Sequence, residues 1–499
     1  MKKIFAIVVF LIASSLNIVY AQPVNGELVS DTGNIRVVKV WGTHYERGFA
    51  YGYLCSQKIF SVYNNYILPN YGGLLPLAKS IIGNQNNFSI DSIYVTEAKA
   101  MLDGMATAGI DTAGISYLDL FVVNFITDLS GFITKKEIIQ NCSSLMDWGD
   151  ATLGTDLNGK SVISHHLDAS PLDTNITNNQ VVIIHVPSET DEQPWILTGT
   201  AGQMAASQAF NIHGVTAFLN TVNGFTALVN KGYEPVTLAI RKGLEKVDFN
   251  NDGLHNVNDI RDALSSNTNG YASGFIVCSL APSTAGYDSL IAIVAELAPQ
   301  QPYVTFRYNN YTDSIDGDNL YAANDMVKRN NAQIYCSRYL NVSNVIHTNY
   351  NGQNIGSSDN WNIMKTQSVQ NINLQFIQVI PEDCIFKIAV SHYGNPAYQF
   401  APQIFNFCEL FSTNIKSKTV VDEISINLFP NPSVNNLNIE ITNATGIFTV
   451  EIYNVLNQKI YCSEIGKKSY IDISNLPKGI YLLKIYLKNI SQIKKFVKQ

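Results

Sequence analysis

The clearest chemistry in this sequence is a cysteine and an aspartate on what reads as one hairpin. Asn141-Cys142-Ser143-Ser144-Leu145-Met146-Asp147-Trp148 looks like a strand with the cysteine at its start. The turn dipeptide Asn158-Gly159 follows, then a second strand-like run, Lys160–Leu167, with Asp168 at its end. Folded together, the two arms bring the carboxylate within hydrogen-bond reach of the backbone nitrogen of Cys142. A thiolate attacks acyl carbonyls, provided something nearby takes its proton and is held in place to do so. On residue types alone a cysteine and an aspartate in a hairpin also occur as plain structural residues.

A second pattern suits a hard cation. Asp248, Asn250, Asp252, Leu254, Asn256 and Asp259 occupy positions 1, 3, 5, 7, 9 and 12 of an EF-hand-like loop, and Gly253 stands at position 6. Oxygen donors alternate along it, Leu254 offering its carbonyl, and the glycine permits the sharp turn. Val236, Ile240, Leu244 and Val247 form a helical stripe before the loop, and a second helix is expected from Asp259. The expectation is a structural Ca2+ at residues 248–259, bracing the fold with no part in catalysis. No cofactor is expected for catalysis itself.

The elements that must carry these groups change character along the chain. Residues 44–135 read mainly helical: Tyr94, Ala98, Met101, Leu102 and Met105 recur at helical spacing, and 116–130 form another apolar-rich helix. From Cys142 the texture turns to short strand-like runs: 180–187, 194–199, 214–222, 274–280, 289–297 and 302–308. Helices are expected at 235–247 and 258–265. Strand pairs mixed with helices over this length predict an α+β layered fold. A polar stretch at 412–419 marks a boundary, and the remaining residues read as an independent β-sandwich.

The ends and the composition bound the rest. Lys2 and Lys3, the apolar run Ile4–Ile12 and Ala21 before Gln22 have the form of a cleavable secretion signal over 1–21. No other run is apolar enough to span a bilayer, so none is expected in the mature protein. At 499 residues, two or more domains are expected. A net charge of −7 with 15% charged residues argues against nucleic acid as a partner. Export permits disulfides among the seven cysteines, an odd number that leaves at least one thiol unpaired and any pairing open.

The hairpin resembles the nucleophile hairpin of the penicillin acyltransferase family of N-terminal-nucleophile hydrolases, relatives of bile-salt hydrolase and acid ceramidase. The resemblance extends to Trp41-Gly42-Thr43-His44-Tyr45-Glu46-Arg47-Gly48 with Tyr51-Gly52, to the run Asn211–Asn220, to Ala323-Asn324 and to Ser337-Arg338-Tyr339, in order. It implies a four-layer αββα core with residues 22–141 as a helical pro-segment or α-subunit and 142–418 as the catalytic β-subunit. It further implies self-cleavage of Asn141–Cys142, leaving an α/β heterodimer. The freed α-amine, with an ordinary pKa of about 7.7–8.0, would serve as the base. Asp168 would orient that amine, Asn220 and Asn324 would donate to the oxyanion, and Arg338 would order the carboxylates or a polar substrate group. His165 departs from the family, most of which has arginine there, while phospholipase-B-like relatives have histidine; it is kept as a site residue.

The tail at 419–499 resembles the sorting domain of type IX secretion, through Leu428-Phe429-Pro430-Asn431-Pro432, Ile452-Tyr453-Asn454, Leu476–Tyr481 and Lys494–Lys498. The expected partners are therefore the type IX machinery and a small N-acyl substrate. The expected function is secreted cysteine amidohydrolysis or acyl transfer through a thioester on Cys142. A phospholipase-B-like lipid hydrolase and a non-catalytic, calcium-braced surface binding protein are the alternatives.

Overall fold

A computed structural model of the chain describes residues 23–133, 140–169, 172–283, 290–308, 315–329, 336–412, 425–442, 448–454, 459–466, 468–487 and 490–499. The expected signal at 1–21 lies outside them. The chain divides into two compact units, Met1–Phe411 and Ser412–Gln499.

The first unit stacks two sheets between two layers of helix. One sheet has nine strands: β1 (Gly26–Thr32), β2 (Ile35–Gly42), then β5 (Gln180–Pro187), β6 (Trp195–Thr200), β7 (Gln208–Asn211), β8 (Thr216–Val222), β9 (Gly274–Leu280), β10 (Ala292–Leu297) and β11 (Val304–Arg307), in that spatial order. The other has six, in the order β12 (Asn319–Ala322), β3 (Gln140–Asp147), β4 (Val162–Ala169), β13 (Asn373–Ile380), β14 (Ile385–Val390) and β15 (Gln403–Asn406). Side chains alternate across each pleat. In the large sheet Val182, Ile184, Phe218 and Ile276 face the small one, meeting Met146, Ile163, Ile377 and Val379. Their neighbours Val181, Ile183, Leu219 and Val277 turn outward to the helices of residues 44–133 and to Val236–Glu245. On the far side Leu145, Tyr321 and Phe376 pack on the helices Ser337–Val345 and Ser357–Gln367. This is the αββα layering.

The segment 22–141 is not helical throughout. It opens with β1 and β2, and β2 runs parallel to β5 from Ile35–Gln180 to Gly42–Pro187. Ile35 and Val37 are buried on one face of β2 and Val38 and Val40 on the other, because a central strand of a covered sheet is buried on both. The helix His44–Leu54 then lies against Ser92–Thr107 at unusually close range. A Cβ on Gly52 would stand 1.9 Å from the Met101 carbonyl oxygen, and one on Gly48 would stand 2.3 Å from that of Glu97. The glycines of the Arg47-Gly48…Tyr51-Gly52 motif are thus required by backbone contact.

That contact delivers a buried ionic cluster. His44 Nδ1 meets Glu97 at 2.6 Å and its Nε2 meets Glu192 at 2.9 Å. Arg47 Nη2 donates to Glu192 at 2.9 Å, and Arg241 grips both oxygens of Glu97 at 3.1 and 2.7 Å. Burial alone would lower the His44 imidazole, but Glu192 and Glu97 outweigh it and raise it to about 9. His44, Glu189 and Glu192 are the single grouping of metal-ligand type among the described residues, yet Arg47 and His44 already take up their oxygens.

The second unit is all β. Strands Ser425–Phe429, Asn436–Thr442 and Lys468–Asp472 form one sheet, and Lys459–Ile465, Phe448–Tyr453, Gly479–Leu487 and Ile490–Lys498 form the other. Leu437, Ile439, Phe448, Val450, Leu483 and Phe496 fill the core.

Candidate active site

β3 and β4 pair antiparallel with Asn141 against Asp168, Cys142 against Leu167 and Ser144 against His165. By the alternation that puts Met146 and Ile163 between the sheets, Cys142, Ser144 and His165 point inward, and Asp168 points toward the helix Ser337–Val345.

Four expected residues meet at the start of β3. The Cys142 backbone N–H donates to Asn324 Oδ1 at 3.2 Å. Arg338 Nη1 donates to the Cys142 carbonyl at 3.1 Å, and its Nη2 donates to the same Asn324 oxygen at 2.6 Å. The guanidinium also lies 3.8 Å from Asp168 Oδ2. Asn324 Nδ2 is fixed by the Thr221 carbonyl at 2.6 Å. Arg338 therefore ties the cysteine, the asparagine and the aspartate together from the first turn of its helix.

Burial pushes the Cys142 thiol up to about 12 and the Asp168 charge adds to this, while the N–H groups of Asp168 and Thr221 and the Arg338 charge pull back. Burial likewise raises Asp168 to about 8, against a hydrogen bond from Asn373 and the charge of Arg338. The nitrogen beside the thiol is a backbone amide, which is no base. One carboxylate oxygen of Asp168, Oδ2, is buried without a hydrogen-bond partner.

Two expected residues stand apart from this group. Asn220 reaches the small sheet, but both its donor hydrogens serve backbone there: Nδ2 donates to the Ala322 and Ala323 carbonyls at 3.2 and 2.9 Å. It ties β8 to the end of β12 and holds Ala323-Asn324 in place. His165 Nδ1 bonds to the Ser144 hydroxyl at 2.9 Å, and its ring packs 4.9 Å from that of Phe218. Burial, with the neighbouring His166 charge, lowers His165 to about 3, so the ring is neutral where an arginine would carry charge.

Two contributors had no motif to announce them. Thr221 supplies the carbonyl that orients Asn324. Asn373 Nδ2 donates to Asp168 Oδ1 at 3.0 Å. Asn373 begins a run of alternating polar and apolar residues that reads as a strand with one wet face, but both faces are buried. No local pattern in the sequence marks it.

A cavity of about 130 Å3 opens beside β4 and β8, and its lining includes Leu167, the residue paired with Cys142. Leu167, Ala169, Leu219 and Thr221 line it from the sheets, and Val123 and Ile126 from the helices of 22–141. A smaller one of about 40 Å3, lined among others by Leu75, Val122 and Leu129, shares Tyr71 and Ile126 with it.

The loop 248–259 lies away from these residues in the chain, between the helices Val236–Glu245 and Val257–Ser265. Asp248 accepts from the N–H groups of Asp252 and Gly253 at 3.1 and 2.8 Å, and Gly253 takes φ +80°, the left-handed turn its position demands. Asp259 accepts from Phe249 N–H at 2.7 Å, and burial, with the charges of Asp248 and Asp252, raises it to about 7. Asn250 bonds to Asp252 at 3.0 Å, Leu254 N–H donates to Asp252 at 2.8 Å, and Asn256 caps the second helix through Asn258 N–H at 2.7 Å. The loop carboxylates do not converge within 4.8 Å of one another. Among the cysteines, Cys384 and Cys408 form a disulfide, and Cys55, Cys142, Cys278, Cys336 and Cys462 are free.

The fold is similar to that of the Caenorhabditis elegans N-acylethanolamine-hydrolyzing acid amidase ortholog, at 13% identity and TM-score 0.35, over 53% of this chain and 100% of that one. It is also similar to a mutant of conjugated bile acid hydrolase from Clostridium perfringens, at 10% identity and TM-score 0.32, over 54% of this chain and 94% of that one. The search of curated proteins returned no match. Residues 427–499 match the secretion system C-terminal sorting domain, so this tail marks the protein for export by the type IX route, to the cell surface or beyond it.

Proposed function

We propose that the exported protein is a cysteine amidohydrolase or acyltransferase that activates itself by cutting Asn141–Cys142 and then acts on the C–N bond of an N-acyl substrate. The observation that carries this reading is the cluster at the start of β3, where Arg338 and Asn324 hold the Cys142 backbone on both sides and Asp168 keeps one buried oxygen without a hydrogen bond, with only the Arg338 charge 3.8 Å away. A buried carboxylate oxygen is stabilised by a cationic donor. An α-ammonium created at Cys142 is such a donor.

Activation balances as follows. The Cys142 sulfur attacks the Asn141 carbonyl, the peptide nitrogen leaves as the α-amine, and water hydrolyses the resulting thioester to free the Asn141 carboxylate. In turnover the α-amine takes the thiol proton and the thiolate adds to the acyl carbonyl. The proton passes to the departing amine, and water or a second amine then releases the acyl group from the thioester. Asn324, with backbone N–H groups near the thiol, stabilises the oxyanion. Asp168 orients the amine. Asn220 acts through Ala323-Asn324, and His165 acts as a neutral packing residue.

The acyl group lies in the cavity beside Leu167 and Thr221. At about 130 Å3 it is near the size that holds one benzene ring, and its lining mixes Leu167, Leu219 and Ile126 with the polar Asn124, Gln203 and Gln208, so a compact acyl group that also carries a polar atom fits best. Incubating the cut protein with N-acyl amides, acyl-lactones and β-lactams tests this. Quenched mixtures are expected to show an acyl adduct on the fragment that begins at Cys142; product formation with no such adduct would contradict the thioester.

The loop 248–259 takes a structural Ca2+ in this reading. Its spacing, the backbone wrapped on Asp248 and the repulsion felt by Asp259 support this; Asp248, Asn250, Asp252, Leu254, Asn256 and Asp259 would supply the oxygen ligands.

A further inference from the structure

β13 carries a bulge where it meets β4. Asn373 is in register with Asp168 and Gln375 with Leu167, which leaves Leu374 as the extra residue. A bulge re-aims the side chains at its ends. Here it turns Leu374 into the cavity and points the buried Asn373 amide at the aspartate.

Every polar atom of that amide is committed. Nδ2 donates to Asp168 Oδ1 at 3.0 Å and to the Gln375 carbonyl at 2.9 Å, and the Leu167 carbonyl lies at 3.4 Å. Oδ1 accepts the Tyr398 N–H at 3.0 Å. The amide is therefore locked in one orientation, its donor side toward the carboxylate. Arg338 approaches the other oxygen, so the two residues hold Asp168 from opposite ends.

We infer that Asn373 is a positioning residue of this site: it holds the Asp168 carboxyl rotated so that Oδ2 faces the nucleophile's α-amine. The inference rests on the self-cleaving hydrolase reading above. The charged and titratable groups around Asp168 are Arg338 from its helix, Cys142 with its amine from β3, and His166 on β4, which burial keeps neutral by lowering it to about 3. From β13 it meets only the neutral Asn373.

Removing the Asn373 donor makes the carboxylate easier to protonate. Protonated Asp168 no longer holds the amine as a charged acceptor, so activity at low pH is lost sooner. The test compares cleaved wild type, Asn373→Ala and the isosteric Asn373→Asp, reading kcat and KM across pH. The expected result is a fall in kcat of about tenfold or more at neutral pH, an unchanged KM, and an acidic limb displaced upward by about one pH unit or more, most in N373D, where two carboxylates share a proton. N373D keeps the acceptor for Tyr398, so it decides alone if N373A is not recovered folded. Profiles superimposable on the wild type would overturn the assignment while leaving the hydrolase reading intact. An uncut, inactive wild type would instead sink the reading on which it rests.

Discussion

Asn141 faces Asp168 directly across the β3–β4 pairing, and Cys142 occupies the next rung, opposite Leu167. The carboxylate therefore stands level with the Asn141–Cys142 peptide bond, with the thiol one residue further along the strand. In the proposed self-cleavage, an amide whose N–H donates to Asn324 would become an amine beside a buried carboxylate. Burial raises Asp168 while Asn373 and Arg338 restrain it, and a cationic amine at Cys142 would add to that restraint.

Asn324 and Arg338 act as one unit, because a single Asn324 oxygen receives both the Cys142 N–H and the guanidinium. Asn324→Ala is expected to lower kcat by about 10²–10³-fold. Arg338→Lys keeps the charge but not the fork that spans the Cys142 carbonyl and Asn324, and a loss of similar size is expected. Steady-state kinetics on cleaved protein measures both. Either variant retaining full kcat would remove its residue from the site.

The ionic cluster predicts a pH-dependent stability. The folded pKa of His44, about 9, lies above its ordinary 6.5, so its contribution is complete below pH 6.5 and disappears as pH rises through 9. Glu192, held down to about 2, contributes above its ordinary 4.5 and loses that as pH falls through 2. Tm of the wild type is expected to drop as pH rises from about 6.5 past 9, and His44→Gln is expected to lack that drop. Parallel Tm curves for the two proteins would contradict the protonated clamp.

Calcium is expected to raise Tm and a chelator to lower it, with Asp248→Ala insensitive to both, since binding to the folded state alone stabilises it by mass action. Activity of the cut enzyme is expected to follow the folded fraction only. No response of Tm in the wild type would retire the loop as a metal site.

Much of this architecture is legible in the sequence where period and punctuation agree. The runs 180–187 and 274–280 are strands from end to end, and the helices of 44–135 follow the apolar spacing. β2 escapes that reading, since a strand buried on both faces has no alternation to show, and β1 is a mostly exposed edge strand with no apolar face to mark it. Cys142, Asp168, Asn324 and Arg338 belong to separated motifs, and their meeting depends on sheet order. Asn373 has no motif at all, because its role comes from a bulge that only pairing register reveals. The orientation of Asn220, its donors spent on Ala322 and Ala323, is likewise a tertiary fact. The Cys384–Cys408 bridge joins residues whose closeness follows from β14 pairing with β15.

The central claim is that this protein makes its own base by cutting before Cys142. Intact-mass measurement of purified wild type beside Cys142→Ala tests it most directly. Two fragments in the wild type, one beginning at Cys142, with a single uncut chain in the variant, is the predicted result. A wild type that remains one chain under folding conditions would contradict it.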